Sequence, residues 1–512
     1  MKLPELPYRI SKASMEIPVL RGINFSDNIK DGDMSDSRNI STRRYPYTAT
    51  RHGRDRLTDY DSVTAIAYWG ALVAVKGTDL IYNGNVVGEV SEGEKQFAVV
   101  NTKLVIWPDK KYLDLKTLTL KDLGASITIS GTATFTANNV SFKSVSTSLS
   151  TLFKKGDCIT ISGCTENKDN NKDVVIVAAG SKSITVSDDA FTEGTESGGI
   201  TIERKIPDMD YICESENRLW GCSSAAQTIY ASSLGDPTNF FVYEGVATDS
   251  YALAVGSEGD FTGCCKLSSS VLFWKETKLH KLLGSYPAEY ALYSYDIEGL
   301  RKGCSKSIQV INEVLFYMGL HGVYAYSGGT PRLISSNFGS RQFSDGISGS
   351  DGDSYYLSVK EGNDSYLFVY ETNYGIWILE DNTSAVDFAR NGRDLYMLDS
   401  SGHVWLMDSG KNEPGIEWFI QFTPFYETVK GRKSYSSLLI RLELPKGSYV
   451  TAYVRYDGGK WKEAGTIKGA ETDTVHMHLG INRCDKFEIK LNGKGPCTIL
   501  NITREASIRS TK

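Results

Sequence analysis

Val63-Thr-Ala-Ile-Ala-Tyr-Trp-Gly70 runs directly into Ala71-Leu-Val-Ala-Val75, Lys76-Gly77-Thr78-Asp79, Leu80-Ile-Tyr82 and Asn83-Gly84. The apolar runs are short, and each ends in residues that favour reversal of the chain. Asn83-Gly84 suits a two-residue hairpin turn, whose central positions both require positive φ. The stretch predicts a meander of antiparallel strands.

Comparable units recur at Gln96 to Leu115, Met209 to Tyr230, Phe261 to Leu283, Ser307 to Ile334, Asp353 to Glu380 and Ala385 to Asp408. Each opens on a strand of small residues and closes on an aromatic one: Gly322-Val-Tyr-Ala-Tyr326, Tyr366-Leu-Phe-Val-Tyr370 and Gly402-His-Val-Trp-Leu406. The complete units repeat at about 46 residues, within the roughly 40 to 50 of a four-stranded propeller blade. Residues 63–123 and 205–415 therefore predict an all-β fold, a β-propeller of six or seven blades. A stack of unrelated sandwiches is the alternative, since the spacing is uneven at Gln96 and Ala385.

Residues 124–204 interrupt the repeat. Their composition shifts to Ser, Thr and Asn, followed by Lys155-Gly-Asp-Cys-Ile-Thr-Ile-Ser-Gly163, Asp173-Val-Val-Ile-Val177, Ser183-Ile-Thr-Val-Ser187 and Gly199-Ile-Thr-Ile-Glu203. Short alternating strands of this kind predict a small β-barrel inserted between two blades, a projection suited to recognition. Beyond Gly415, Leu438-Leu-Ile-Arg-Leu-Glu-Leu444 and Phe487-Glu-Ile-Lys-Leu491 alternate apolar and polar residues, with a tight turn at Asp457-Gly458-Gly459. Residues 416–512 predict a C-terminal β-sandwich. Residues 1–62 carry acidic Asp27 to Asp36 and basic Arg38 to Arg56 without an apolar period. They predict an extended arm that gains order only on another surface, of this chain or of a neighbouring subunit.

The 512 residues exceed a single core, 48 glycines and 29 tyrosines favour strands and tight turns, and no apolar run reaches the roughly 20 residues of a membrane-spanning helix. Met1 to Ile10 carries charge and two prolines in place of an apolar signal region, which predicts a protein made in a cytoplasm. A net charge of −6 argues against a surface that grips nucleic acid. Nine cysteines (Cys158, Cys164, Cys213, Cys222, Cys264, Cys265, Cys304, Cys484, Cys497) lack a CxxC pair and read as reduced thiols.

Propellers can host glycosidases, which need facing carboxylates. The sialidase pattern Ser-x-Asp-x-Gly-x-x-Trp is approached only by Asp399-Ser-Ser-Gly402-His-Val-Trp405, with the wrong Asp to Gly spacing, and this reads as a hairpin turn. Of His52, His280, His321, His403, His476 and His478, only the last two stand close, on one face of a strand. Asp31-Gly-Asp-Met-Ser-Asp36 has oxygen ligands but not the later Glu of a calcium loop. No GxSxG, GxxxxGKS or HExxH occurs. The expectation is no enzyme, no catalytic, cofactor-binding or metal-binding residue, and no cofactor.

Arg21-Gly-Ile-Asn24, Ile29-Lys-Asp-Gly-Asp-Met-Ser-Asp36, Asn39-Ile-Ser41, Tyr45-Pro46 and Arg51-His-Gly-Arg54 resemble the opening of bacteriophage tail proteins. Ser232-Ser-Leu-Gly-Asp-Pro-Thr-Asn-Phe240, the insert, Tyr456-Asp-Gly-Gly-Lys-Trp461, Arg483-Cys-Asp-Lys-Phe487 and Gly493-Lys-Gly495 continue the likeness. In this order they resemble the nozzle proteins of short-tailed phages, also called tail tubular protein B or packaged-DNA stabilisation proteins. The chain is shorter than the larger members. The resemblance implies a structural virion protein of the tail: a homo-oligomeric ring, a hexamer in known nozzles, that meets the adaptor and portal and neighbours tail fibre or spike proteins. Such a ring retains packaged double-stranded DNA and conducts it without sequence preference at ejection. A receptor- or glycan-binding propeller at the distal tail is the alternative, and a glycan-degrading enzyme a third.

Overall fold

The computed structural model describes residues 10–17, 19, 21–187, 189–427, 432–480 and 482–509. The chain divides into two compact units, residues 1–68 with 306–512, and residues 69–305. Among the described residues no helix is long and apolar enough to cross a membrane.

Seven four-stranded antiparallel sheets, six of them meanders and the seventh completed by a strand from the N-terminal segment, make the fold class that of a seven-bladed β-propeller. Their strands span Val63–Glu89, Gln96–Asp122, Tyr211–Ala254, Gly263–Asp296, Gln309–Leu333, Ser344–Asp381, and Ala385–Leu406 joined by Asp55–Leu57. Asn83 (φ 50°) and Gly84 (φ 78°) make the predicted hairpin turn. Strands such as Leu72–Lys76, Ser270–Trp274 and Val323–Tyr326 are apolar at nearly every position because both of their faces are covered, hence their continuous apolar runs.

The strand that closes each blade differs from the expectation. The aromatic strands expected to close their units are third strands, and each is followed by a fourth. After Val323–Tyr326 comes Arg332–Leu333, only two residues long and exposed. After Asp364–Glu371 comes Ile376–Asp381, buried throughout. After Val404–Leu406 the fourth strand is Asp55–Leu57, from the other end of the chain. A short edge strand, or one supplied from 350 residues away, leaves no local period to read.

Tryptophans pin neighbouring segments together. Trp107 is buried and its indole donates to the Met209 carbonyl at 2.6 Å, while Trp377 donates to the Ile334 carbonyl at 2.8 Å. Each therefore buries an aromatic body while its one polar group keeps a partner.

The insert is a closed six-stranded barrel, in the order Ser126–Thr136, Asn139–Phe142, Ser183–Val186, Asp173–Ala179, Cys158–Ser162 and Gly194–Arg204, the last pairing back to the first. Its inward residues, among them Phe135, Val140, Phe153, Ile161, Ile184 and Ile202, form a core of their own. Ser126 lies opposite Glu203, so the chain enters and leaves the barrel side by side.

The C-terminal strands form one hydrogen-bonded sheet of ten, and four of the ten come from the expected arm. Ile10–Ile17 pairs with Thr498–Arg509, Met34–Arg38 with Glu417–Phe422, and Thr48–Thr50 with Thr498–Arg509 and with Ile40–Ser41. The two strands expected at Ser437 to Leu444 and Tyr449 to Tyr456 are a single strand, Lys433–Tyr456. Its register shifts between Leu444 and Tyr449, and its flanking partner changes there from Thr498–Arg509 to Phe487–Lys494. A bulged strand of this kind can turn from one face of a sheet to another without ending.

Candidate functional site

In the first unit the N-terminal segment runs along the fourth strand of the blade Ser344–Asp381. Ile23 donates its amide to the Trp377 carbonyl at 2.7 Å, Asn39 to the Glu380 carbonyl at 2.6 Å, and the Ser37 hydroxyl to the Leu379 carbonyl at 2.7 Å. The edge of the blade is thereby paired, which explains the burial of Ile376–Asp381. Gly22 (φ 86°) permits this approach: a Cβ there would lie 2.3 Å from the Trp377 carbonyl oxygen.

Charges from the same segment complete the joint. Arg54 reaches Glu380 at 2.7 Å and Asp381 at 2.8 Å, and Arg51 reaches Glu380 and Glu413 at 3.5 Å each. Burial works against the ionised Asp381 carboxyl, but the Arg54 guanidinium, hydrogen bonds from Thr383 and the charge of Arg51 together outweigh it and hold the group below its ordinary range. Beside this cluster is a cavity of about 370 Å³ walled by Arg43, Arg51, Glu371, Tyr356 and Tyr374, together with the turn at Asp351.

The carboxylates around the cavity are engaged inside the protein. Glu371 accepts from the Thr42 hydroxyl at 2.9 Å and the Ser354 hydroxyl at 3.2 Å, and burial raises its pKa. Asp351 accepts from the backbone amides of Asp353 and Ser354, Asp353 faces Arg393 at 3.5 Å, and Asp408 meets His52 at 2.8 Å. The partners are hydroxyls for Glu371, backbone amides for Asp351, and ion pairs with Arg393 and His52 for Asp353 and Asp408.

Asp399 caps the hairpin between Asp394–Asp399 and Val404–Leu406, accepting from the amides of Ser401 (2.9 Å) and His403 (3.0 Å) and from the Trp405 indole (2.7 Å). His476 and His478 lie with ring centroids 4.4 Å apart. In Asp31 to Asp36, Asp33 accepts from the Asn24 amide and the Lys30 backbone at 2.7 Å each, and Asp31 faces Arg504 at 3.4 Å. Among the described residues no group of three or more His, Cys, Asp or Glu could hold a metal ion. All nine cysteines are free thiols. A hydrogen bond with Cys264, then burial, pushes the Cys213 thiol well up, so it is a poor nucleophile.

In the second unit, Asp236 of the Ser232 to Phe240 phrase ties the barrel to a blade. Its carboxylate pairs with Lys154 of the barrel and, at 3.2 Å, with Lys103 of the blade Gln96–Asp122. Burial opposes its ionisation, but Lys154, Lys103 and the Thr238 hydroxyl together prevail, and the carboxyl titrates well below its usual range. Buried Arg204 meets Asp157 at 2.8 Å and donates to the Leu123 carbonyl at 3.0 Å, anchoring the barrel at its exit. A cleft of about 620 Å³ lies along this junction, lined by Lys121, Tyr112, Phe153 and Lys154.

The wall of the smaller cavity was not foreseen, because Arg43, Asp351, Glu371 and Tyr374 come from separate turns that only tertiary pairing brings together. The arginines of the Arg51-His-Gly-Arg54 phrase were its one legible trace.

Fold and joints define an all-β protein built on seven propeller blades, carrying an inserted barrel and a ten-stranded terminal sheet. No family model matches the sequence, and no curated protein does. Similar solved structures include an exo-β-1,3-galactanase from Phanerochaete chrysosporium (8% identity, TM-score 0.23, 56% of this chain and 92% of that one). Hsv2 from Kluyveromyces marxianus is similar at 10% identity and TM-score 0.28, over 52% of this chain and 87% of that one. The acylaminoacyl peptidase of Pyrococcus horikoshii is similar at 11% identity and TM-score 0.29, over 71% of this chain and 58% of that one.

Proposed function

We propose that this chain is a structural component of a bacteriophage tail, a nozzle-type subunit that assembles with copies of itself into a ring, six in the family it resembles. The ring joins the adaptor and portal on one side and fibre or spike proteins on the other, holds packaged DNA and lets it pass at ejection. One observation supports this above the rest: three of the phrases that resemble tail proteins are joints. Arg21 to Asn24 and Arg51 to Arg54 fasten the N-terminal segment to a blade, and Asp236 fastens the barrel to another. Polar residues are engaged in holding elements together, as a load-transmitting part requires. A net charge of −6 suits a wall past which phosphates slide.

A second reading, a receptor- or glycan-binding propeller at the distal tail, is favoured by the polar cavity beside Arg51. Removal of the gene from a producing phage separates the two. The nozzle reading expects particles that package DNA but lose it to added nuclease. Particles that retain DNA yet fail to adsorb would overturn the nozzle reading in favour of the second.

A further inference from the structure

We propose that the cavity of about 370 Å³ beside the blade Ser344–Asp381 is a binding site for an uncharged carbohydrate of one or two pyranose rings. The inference deepens the glycan-binding reading and names its site, and it stands or falls apart from the ring. The volume lies within the roughly 300–1,000 Å³ of small-molecule sites.

The wall selects the ligand class. Three arginines (Arg43, Arg51, Arg393) and five carboxylates surround the space, an acidic balance that repels phosphate, sulfate and carboxylate ligands. The arginines in turn disfavour a cation. Most of these charges already have partners: Arg51 with Glu380 and Glu413, Arg393 with Asp353, Asp408 with His52, Glu371 with two hydroxyls. What the wall offers is guanidinium donors and carboxylate acceptors side by side in one space. A sugar hydroxyl both donates and accepts, so it can bridge a guanidinium and a carboxylate without bringing a charge that needs burial.

Aromatic faces supply the apolar part. Tyr374 is 49% exposed at the rim, its ring held by stacking on Tyr45 at 3.9 Å and 15° between planes, and Tyr356 lies in the wall. A pyranose presents an apolar face of C–H groups that packs on such a ring while its hydroxyls stay wet. The turn carrying Tyr374 is fixed before any ligand arrives: the Gly375 amide donates to the Glu371 carbonyl at 2.9 Å and the Thr372 hydroxyl to the Asp353 carbonyl at 2.6 Å. Little ordering is then required on binding.

The test uses the full chain with maltose, cellobiose, lactose and N,N′-diacetylchitobiose as probes, in saturation-transfer NMR and calorimetric titration, with a sulfated disaccharide for comparison. At least one neutral disaccharide is expected to bind, and Tyr374→Ala and Arg43→Ala are each expected to weaken it tenfold or more. Tyr293→Ala, which removes an exposed tyrosine of the other unit, should leave binding unchanged. Circular dichroism confirms that each variant is folded. The proposal is overturned if no neutral probe binds the folded chain, if binding ignores Tyr374→Ala and Arg43→Ala, or if only the sulfated sugar binds.

Discussion

Arg504 is 1% exposed, sandwiched between the Phe425 ring at 3.9 Å and the carboxylate of Glu427 at 3.1 Å, itself 3% exposed. Deleting one member of such a pair leaves the other charge buried, at roughly 3–5 kcal/mol. Arg504→Met should therefore lower the urea midpoint of the unit that contains it, whereas Arg504→Met with Glu427→Leu should recover part of the loss. Asp31 faces the same arginine, and burial followed by repulsion from Glu427 raises its pKa to about 6. A carboxyl that holds its proton more tightly when folded contributes stability below about pH 4 that is lost as pH rises through about 6. His280 has the opposite sign. Enclosed between the Ser257 hydroxyl at 2.9 Å and the Ser294 hydroxyl at 2.7 Å, it is lowered by burial to about 4, so its contribution is present above pH 6.5 and lost as pH falls through about 4. Melting temperatures between pH 4 and 7 should lose their downward limb in Asp31→Asn and their acid limb in His280→Gln; unchanged profiles would refute these assignments. The surroundings of Arg504 and Asp31 were not legible in sequence, because they join residues from opposite ends of the chain, whereas His280 meets Ser294 across one hairpin of its own blade.

Among the elements, those with local registers were read most easily. Asn83-Gly84 announced its hairpin and the alternating strands of the insert announced theirs, since both signals lie within a few residues. Strands completed from afar were lost: Asp55–Leu57 makes a blade's edge and Ile10–Ile17 a sheet's, yet neither shows a period of its own. The barrel has its own core and side-by-side ends, the conditions under which an inserted domain folds alone. Residues 125–205 expressed separately should unfold in one cooperative transition with the circular dichroism of a β protein. A non-cooperative melt would mean that the barrel needs Asp236 and its blade.

For the molecule as a whole, the sequence carried the class of fold because one strand–turn pattern repeats from blade to blade, while the interleaving of N-terminal and C-terminal strands in a single sheet was invisible to it. That interleaving bears on function. Four N-terminal strands pair into the C-terminal sheet, so a force on Ile10–Ile17 or on Thr498–Arg509 is carried by the hydrogen-bonded ladder between them. The proposed nozzle role, in which the ring resists packaged DNA, would need that property. The direct measurement is cryo-electron microscopy of the intact particle. A nozzle-type ring predicts several copies of this chain around the tail axis next to the adaptor, with DNA along the axis; copies confined to the distal tip, or no copies in the particle, would contradict it.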